Sequence, residues 1–194
     1  MLVFLLSLTL LTAPPVDTTY QQARHRMVQE QIADRGVTDG AVLRAMRTVR
    51  RHWFVPGAPP ALAYTDQPLP IGHGQTISQP FIVAYMTQLV EPDPADRALE
   101  VGTGSGYQAA VLAAIVDSVY TIEIVPELAR TATDRLARMG YDNVRVRAGD
   151  GYRGWPEHAP FDIIIVTAAP PRGPAPQPQQ LAAGARTNSA VTPE

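Results

Sequence analysis

Ala98-Leu99-Glu100-Val101-Gly102-Thr103-Gly104-Ser105-Gly106-Tyr107 is the stretch that decides the fold. A short apolar run enters three glycines spaced G-x-G-x-G, and the following Gln108-Ala109-Ala110-Val111-Leu112-Ala113-Ala114-Ile115 is rich in strong helix formers. The order is strand, glycine turn, helix start. Glycine serves where backbone takes positive φ or lies against a ligand, and a helix N-terminus offers unpaired N–H groups. A plain tight βα turn is one reading of such a stretch. A dinucleotide site wants G-x-G-x-x-G, but Tyr107 stands where its third glycine belongs.

What remains is a nucleoside ligand without phosphates, such as S-adenosylmethionine, its amino-acid part lying along the turn. Glu100, at the strand end, suits the ligand's ammonium group. The next strand, Ser118-Val119-Tyr120-Thr121-Ile122-Glu123-Ile124, brings an acid 17 residues after Gly106. Glu123 can accept both ribose hydroxyls there, or stand as a solvated strand-end carboxylate. A helix from Glu127 to Met139 follows, with Pro126 in its first turn and Gly140 past its end. A third strand, Val144-Arg145-Val146-Arg147, delivers Gly149-Asp150-Gly151 to the same edge. Asp150 can reach an adenine amine, and Gly151 permits close approach. Phe161-Asp162-Ile163-Ile164-Ile165-Val166-Thr167 is a β-branched run of the kind buried in a parallel sheet. Together these make the first half of a doubly wound α/β fold, Rossmann-like with a mostly parallel sheet.

With 45% hydrophobic residues among 194, the chain can build one sizeable core. Sixteen basic against eighteen acidic residues leave a formal charge of −2, so nothing demands nucleic acid or an anionic membrane. Cysteine is absent, which excludes disulfides, thiolate catalysis and Cys zinc sites. His25, His52, His73 and His158 lack metal-ligand spacing and read as surface or packing residues. No metal is expected.

Before the glycine turn, Tyr20 to Ala33 is polar and helical. Thr38 or Asp39 then caps a helix that buries Val42, Met46 and Val49. Arg44, Arg47, Arg50 and Arg51 read as a solvated face of that helix rather than a nucleic-acid patch. Pro-rich chain runs to Pro70. Pro70-Ile71-Gly72-His73-Gly74-Gln75-Thr76-Ile77-Ser78-Gln79-Pro80 then opens a helix with an apolar stripe at Ile82, Tyr85, Met86 and Leu89. Ser78 takes the N-cap position, and the helix start offers an anion site where a substrate carboxylate can sit.

Leu2 to Leu11 is apolar, too short to span a bilayer and the right length for the core of a secretory signal. Lys and Arg are missing before it and a clean A-x-A site after it. A cleaved signal, a loose anchor and an early start with Met27 as the true one are all open. Cytoplasmic location is favoured because S-adenosylmethionine is made inside cells; export is the alternative.

Met27-Val28-Gln29-Glu30-Gln31-Ile32, Pro56, Tyr64, Pro68 to Pro80 with its G-Q-T-I-S core, and Leu99 to Ala110 resemble, in order, the signatures of the protein-L-isoaspartate (D-aspartate) O-methyltransferases. The likeness covers roughly Gln21 to Ala169. It implies methyl transfer from S-adenosylmethionine to the abnormal carboxyl of isoaspartyl residues in damaged proteins, a repair reaction of a class I methyltransferase. It also implies Ser78 as the active-site residue, Thr76, Ile77 and Ser78 at the substrate, and Glu100, Gly102, Thr103, Gly104, Ser105, Gly106, Glu123, Asp150 and Gly151 around the donor. A carboxylate with pKa near 4 is already ionised at neutral pH and needs no general base; the enzyme's part is positioning. The expected partners are isoaspartyl proteins or peptides, with the chain a monomer.

The organisation expected is a signal-like segment 1–19, a methyltransferase domain 20–169 divided into a helical substrate part 20–97 and a cofactor half 98–169, and a divergent, disordered tail 170–194. Pro170, Pro171, Pro174, Pro176 and Pro178 oppose helix and central strand. Gln180 to Arg186 only faintly resembles the family's L-x-P-G-G-R turn. The sheet is therefore expected to lack its last three strands, exposing the Ile163-Ile164-Ile165 edge. Two other functions stay open: an inactive, truncated cofactor- or partner-binding remnant, and a methyltransferase for another carboxylate.

Overall fold

In a computed structural model, residues 18–55, 57–168 and 180–189 are described. Helix α1 (Thr18–Arg26) runs into a π-helical turn, Met27–Ile32, whose Met27, Val28 and Ile32 are buried. Helix α2 (Gly40–Thr48) is capped by Asp39, whose Oδ1 accepts from the Val42 N–H at 2.8 Å. A short helix α3 (Pro60–Ala63) stands within the Pro-rich stretch. Next comes a hairpin that the sequence reading took as a glycine-rich turn alone: β1 (Leu69–Gly72) and β2 (Gln75–Ile77) pair antiparallel. His73 and Gly74 join them with φ of 53° and 70°, and two positive φ values are what a tight hairpin turn demands.

Helix α4 (Pro80–Leu89) follows. Its buried face is Val83, Ala84, Met86, Thr87 and, just beyond, Val90, whereas Tyr85 and Leu89 of the expected stripe are 42% and 50% exposed. Ile82, half-buried against the core, and Met86 lie on the expected side; the buried face is rotated toward Thr87, which counts as polar by type yet is buried here with its hydroxyl bonded to the Val83 carbonyl.

The main sheet holds β3 (Arg97–Val101), β4 (Ser118–Glu123), β5 (Val144–Ala148), β6 (Phe161–Val166) and β7 (Leu181–Ser189) in the order β5-β4-β3-β6-β7, every pair parallel. Helices α5 (Tyr107–Ala113) and α6 (Pro126–Arg138) connect β3 to β4 and β4 to β5. Alternation along the strands fills two cores. Ala98, Val119, Ile163 and Ile165 join the N-terminal helices and α5, while Leu99, Ile122, Ile164 and Val166 pack on the other face near Trp155.

Strand β7 corrects the expected unstructured tail: it lies along β6, so Ile163 to Val166 is not an edge. The chain is held there by Arg186, whose guanidinium donates to Asp96 Oδ2 at 2.6 Å and to the Glu91 carbonyl at 2.9 Å. Leu181 pairs with Phe161 and Arg186 to Ser189 pair with Ile163 to Val166, and the register shifts over the weak strand formers between them. Pro170 to Pro178 and the apolar segment Leu2 to Leu11 lie outside the described residues.

Arg51 is a second correction. Arg44 and Arg50 are exposed, but Arg51 is fully buried, donating to the Ala63 carbonyl at 2.9 Å and lying 4.9 Å from the centre of the Tyr107 ring. It sits past the end of α2, so it never shared that helix's solvated face. His52 and His158 are packing residues, stacked on Tyr20 and tilted on Tyr120 respectively.

Candidate functional site

The strand order reverses direction between β3 and β6, and a crevice opens there beyond the carboxyl ends of the strands. A cavity of about 320 Å³ occupies it. Its walls come from the glycine turn, the ends of β4 and β6, the turn after β5, and the stretch from Gln75 to Ser78.

Glu100 stands in its wall, fully buried. The Thr121 hydroxyl donates to Glu100 Oε2 at 2.6 Å and so accepts from the Thr103 hydroxyl, also at 2.6 Å. Glu100 Oε1 has no partner. Burial pushes the carboxyl pKa up to about 8, with the Thr121 hydrogen bond opposing and the Glu123 charge adding to the rise. A cation brought to Oε1 reverses this by favouring the ionised form.

Glu123 ends β4 and turns back over the loop: Oε2 accepts from the Gly104 N–H at 2.7 Å and Oε1 from the Val125 N–H at 3.0 Å. Each oxygen keeps a lone pair, and the residue lines the cavity. Asp150 is exposed at the mouth, its Oδ1 accepting from the Tyr152 N–H at 2.9 Å. Gly151 has a reason beyond ligand approach. A Cβ there would lie 2.3 Å from Val101 Cγ1, so the turn packs against β3 only without a side chain. Of the residues expected around a donor, Gly102, Thr103, Gly104 and Ser105 line the cavity, and Gly106 does not. Gly106 begins α5 with φ of 88°, and its missing Cβ faces Leu136 of α6.

Thr76, Ile77 and Ser78 reach the same cavity at the end of β2. The N-cap of α4 is Gln79, not Ser78, and it makes no side-chain cap. Asp66 does that work from 15 residues away, accepting from the Phe81 N–H at 2.9 Å while paired with Arg35. The anion position at this helix start is thus already engaged by the protein's own carboxylate. Ser78 is released from capping and stands half-buried in the cavity wall.

The sequence reading missed several lining residues. Ile124 and Tyr152, 72% and 42% exposed, flank the mouth, and Thr167 closes the β6 end. Each follows a strand end already singled out, and that was the available signal. Gln108 also lines the cavity. Among the described residues no group of three or more His, Cys, Asp or Glu is placed to hold a metal. No helix among them is long and apolar enough to cross a membrane.

A nucleoside donor bearing an ammonium group fits these residues. Apolar walls from Leu99, Val101, Ile122 and Val166 suit a purine and a thioether-like chain, and the unpartnered buried Glu100 Oε1 asks for a polar partner, which a cationic group supplies while ionising the carboxyl.

Comparison with known proteins agrees with this geometry. The family profile described as protein-L-isoaspartate(D-aspartate) O-methyltransferase matches residues 22–193. The chain belongs to that family. Protein-L-isoaspartate O-methyltransferase of Picosynechococcus sp. is 59% identical over 161 residues, 83% of this chain and 72% of the relative. The enzyme of the same name from Gloeobacter violaceus is 61% identical over 160 residues, 82% and 78% of the two chains. A solved protein-L-isoaspartate O-methyltransferase superposes with a TM-score of 0.76 at 29% identity, covering 86% of this chain and 54% of that longer one. A Plasmodium falciparum structure described as a putative member, in complex with S-adenosyl-L-homocysteine, gives 0.66 at 25% identity, covering 84% and 82%.

Proposed function

We propose that this family member transfers a methyl group from S-adenosylmethionine to the free carboxylate of isoaspartyl, and D-aspartyl, residues in damaged proteins. One observation carries the reading: the glycine-turn edge and the Thr76-Ile77-Ser78 stretch line one cavity, so a donor and an acceptor carboxylate can meet there.

When bound, S-adenosylmethionine supplies a sulfonium-activated methyl group that an ionised carboxylate takes directly, with no proton to move. Glu123 holds the ribose hydroxyls through the lone pairs left by its two backbone bonds. Asp150, fixed by the Tyr152 N–H, faces the adenine amine. Glu100 receives the ammonium, held in place by the Thr121 and Thr103 hydroxyls. The turn from Gly102 to Ser105 lies along the amino-acid part of the donor. Ser78, with Thr76 and Ile77, positions the acceptor carboxylate. The protein's contribution is alignment and exclusion of water, which supplies rate without an acid–base pair. The donor is made inside cells, and this reading sets the activity in the cytoplasm with the chain working as a monomer.

The test is transfer of labelled methyl from S-adenosylmethionine to an isoaspartyl peptide, with the aspartyl peptide as control. Transfer to the isoaspartyl peptide alone is expected. Ser78→Ala should lower that turnover while S-adenosylhomocysteine binding persists. Donor binding with no transfer to either peptide refutes the substrate assignment and favours a cofactor-binding module; equal transfer to both refutes the selectivity.

A further inference from the structure

Gln108, in the first turn of α5, is 6% exposed, and its hydrogen bonds fix which way its amide faces. The Thr87 hydroxyl donates its single proton to the Val83 carbonyl at 2.7 Å, so toward Gln108 it can only accept. Gln108 Nε2 is its donor at 2.8 Å. The nitrogen is therefore committed to α4, and Oε1 is left as the second face of the amide. That oxygen is buried with no partner, in a residue that lines the cavity. A buried acceptor without a donor costs on the order of 1–3 kcal/mol, so it marks a place where a ligand N–H is wanted.

Five buried side-chain polar atoms lack partners among the described residues, and two belong to residues lining this cavity: Glu100 Oε1 and Gln108 Oε1. They bracket the glycine turn, one at its entry and one at its exit. Gln108 Oε1 can only accept, and Glu100 Oε1 becomes an acceptor once its carboxyl ionises, which a cation brought there favours. An ammonium group carries three N–H donors and takes several acceptors at once, whereas a ligand carboxylate would find no proton at Gln108 Oε1. Gln75 and Thr76 are exposed where they line the cavity, the side open to a polypeptide, whereas Gln108 is buried in its wall.

We infer that Gln108 is a donor-binding residue whose Oε1 accepts an N–H from the α-ammonium of S-adenosylmethionine opposite Glu100, with Thr87 as the positioning residue that holds the amide in that orientation. The inference rests on the donor reading proposed above and adds to it a contact at the exit of the glycine turn.

The test is calorimetric titration of the full chain with two ligands. One is S-adenosylhomocysteine, which carries the ammonium; the other is 5′-methylthioadenosine, which lacks the whole amino-acid part. Gln108→Met keeps length and removes the acceptor. It should weaken S-adenosylhomocysteine by about tenfold or more, the worth of a hydrogen bond to a charged group, and leave methylthioadenosine within about twofold. Gln108→Glu restores an acceptor and should restore the preference for S-adenosylhomocysteine. It also serves if Gln108→Met does not fold. Equal weakening of both ligands by Gln108→Met, no change in either, or loss of the preference in Gln108→Glu overturns the role. A raised KM for isoaspartyl peptide with both ligand affinities intact overturns it as well, by moving Gln108 to the acceptor. If the unaltered chain binds no S-adenosylhomocysteine, the donor reading itself fails, and that result is distinct from all of these.

Discussion

Glu100→Gln exchanges a buried carboxyl for an amide of nearly the same shape, and its effect on stability has a defined pH course. In the unfolded chain the carboxyl ionises near 4.5; in the folded chain burial among β3, β4 and the glycine turn moves this to about 8. Between those values the folded protein holds a proton that the unfolded chain has released. The stabilising contribution is fully present below pH 4.5 and is lost as pH rises through 8. At about 1.4 kcal/mol for each tenfold in proton affinity, the displacement from 4.5 to about 8 amounts to about 5 kcal/mol. That is a large fraction of the roughly 5–15 kcal/mol by which a domain is folded. Gln carries no proton to lose, and its amide oxygen still accepts from Thr121. The assay is urea unfolding of both proteins, free of ligand, at intervals from pH 4.5 to 9. The unaltered chain should lose stability relative to Glu100→Gln across that range, by several kcal/mol in total. A difference between the two that stays constant within about 1 kcal/mol refutes a buried, proton-holding Glu100.

Other outcomes follow from the same geometry. Because free Glu100 is mostly protonated at pH 7, binding of S-adenosylhomocysteine there should release close to one proton, read as a dependence of the calorimetric enthalpy on buffer; Glu100→Gln should abolish it. Gly151→Ala drives a Cβ into Val101 and should cost about 1–3 kcal/mol; the double change with Val101→Ala should recover part of that in a thermodynamic cycle. Glu123→Ala removes the acceptor of the Gly104 and Val125 N–H groups and should weaken S-adenosylhomocysteine by about tenfold or more by calorimetry. Asp66→Ala uncaps α4 and should lower stability by about 1 kcal/mol, measured by urea midpoint, with donor affinity unchanged.

The cofactor half was legible because each of its signals is local. β-branched runs end in glycine or an acid, Pro126 opens a helix and Gly140 closes it, and the strand ends bring their acids to one edge. What escaped depends on contacts distant in sequence. The cap of α4 comes from Asp66, which no spacing rule connects to Phe81. The burial of Arg51 depends on the carbonyl of Ala63 and the ring of Tyr107. β7 is weak as a strand by composition and exists through pairing with β6. Gln108 looked like one more helix former, and only the direction of the Thr87 hydrogen bond sets it apart.

Tyr107 closes the glycine turn, yet its ring lies in the N-terminal helical layer, edge-on to Phe54 at 5.5 Å with the Arg51 guanidinium beyond. It is 1% exposed, and its hydroxyl points to Met46. The turn that shapes one side of the cavity is thus bolted to the segment that leads into the other side. Anyone grafting a new acceptor-recognition segment onto this scaffold has to transplant Met46, Arg51 and Phe54 with it, or redesign position 107. A graft that ignores them would leave a phenol with no socket and tilt the donor site along with the acceptor site.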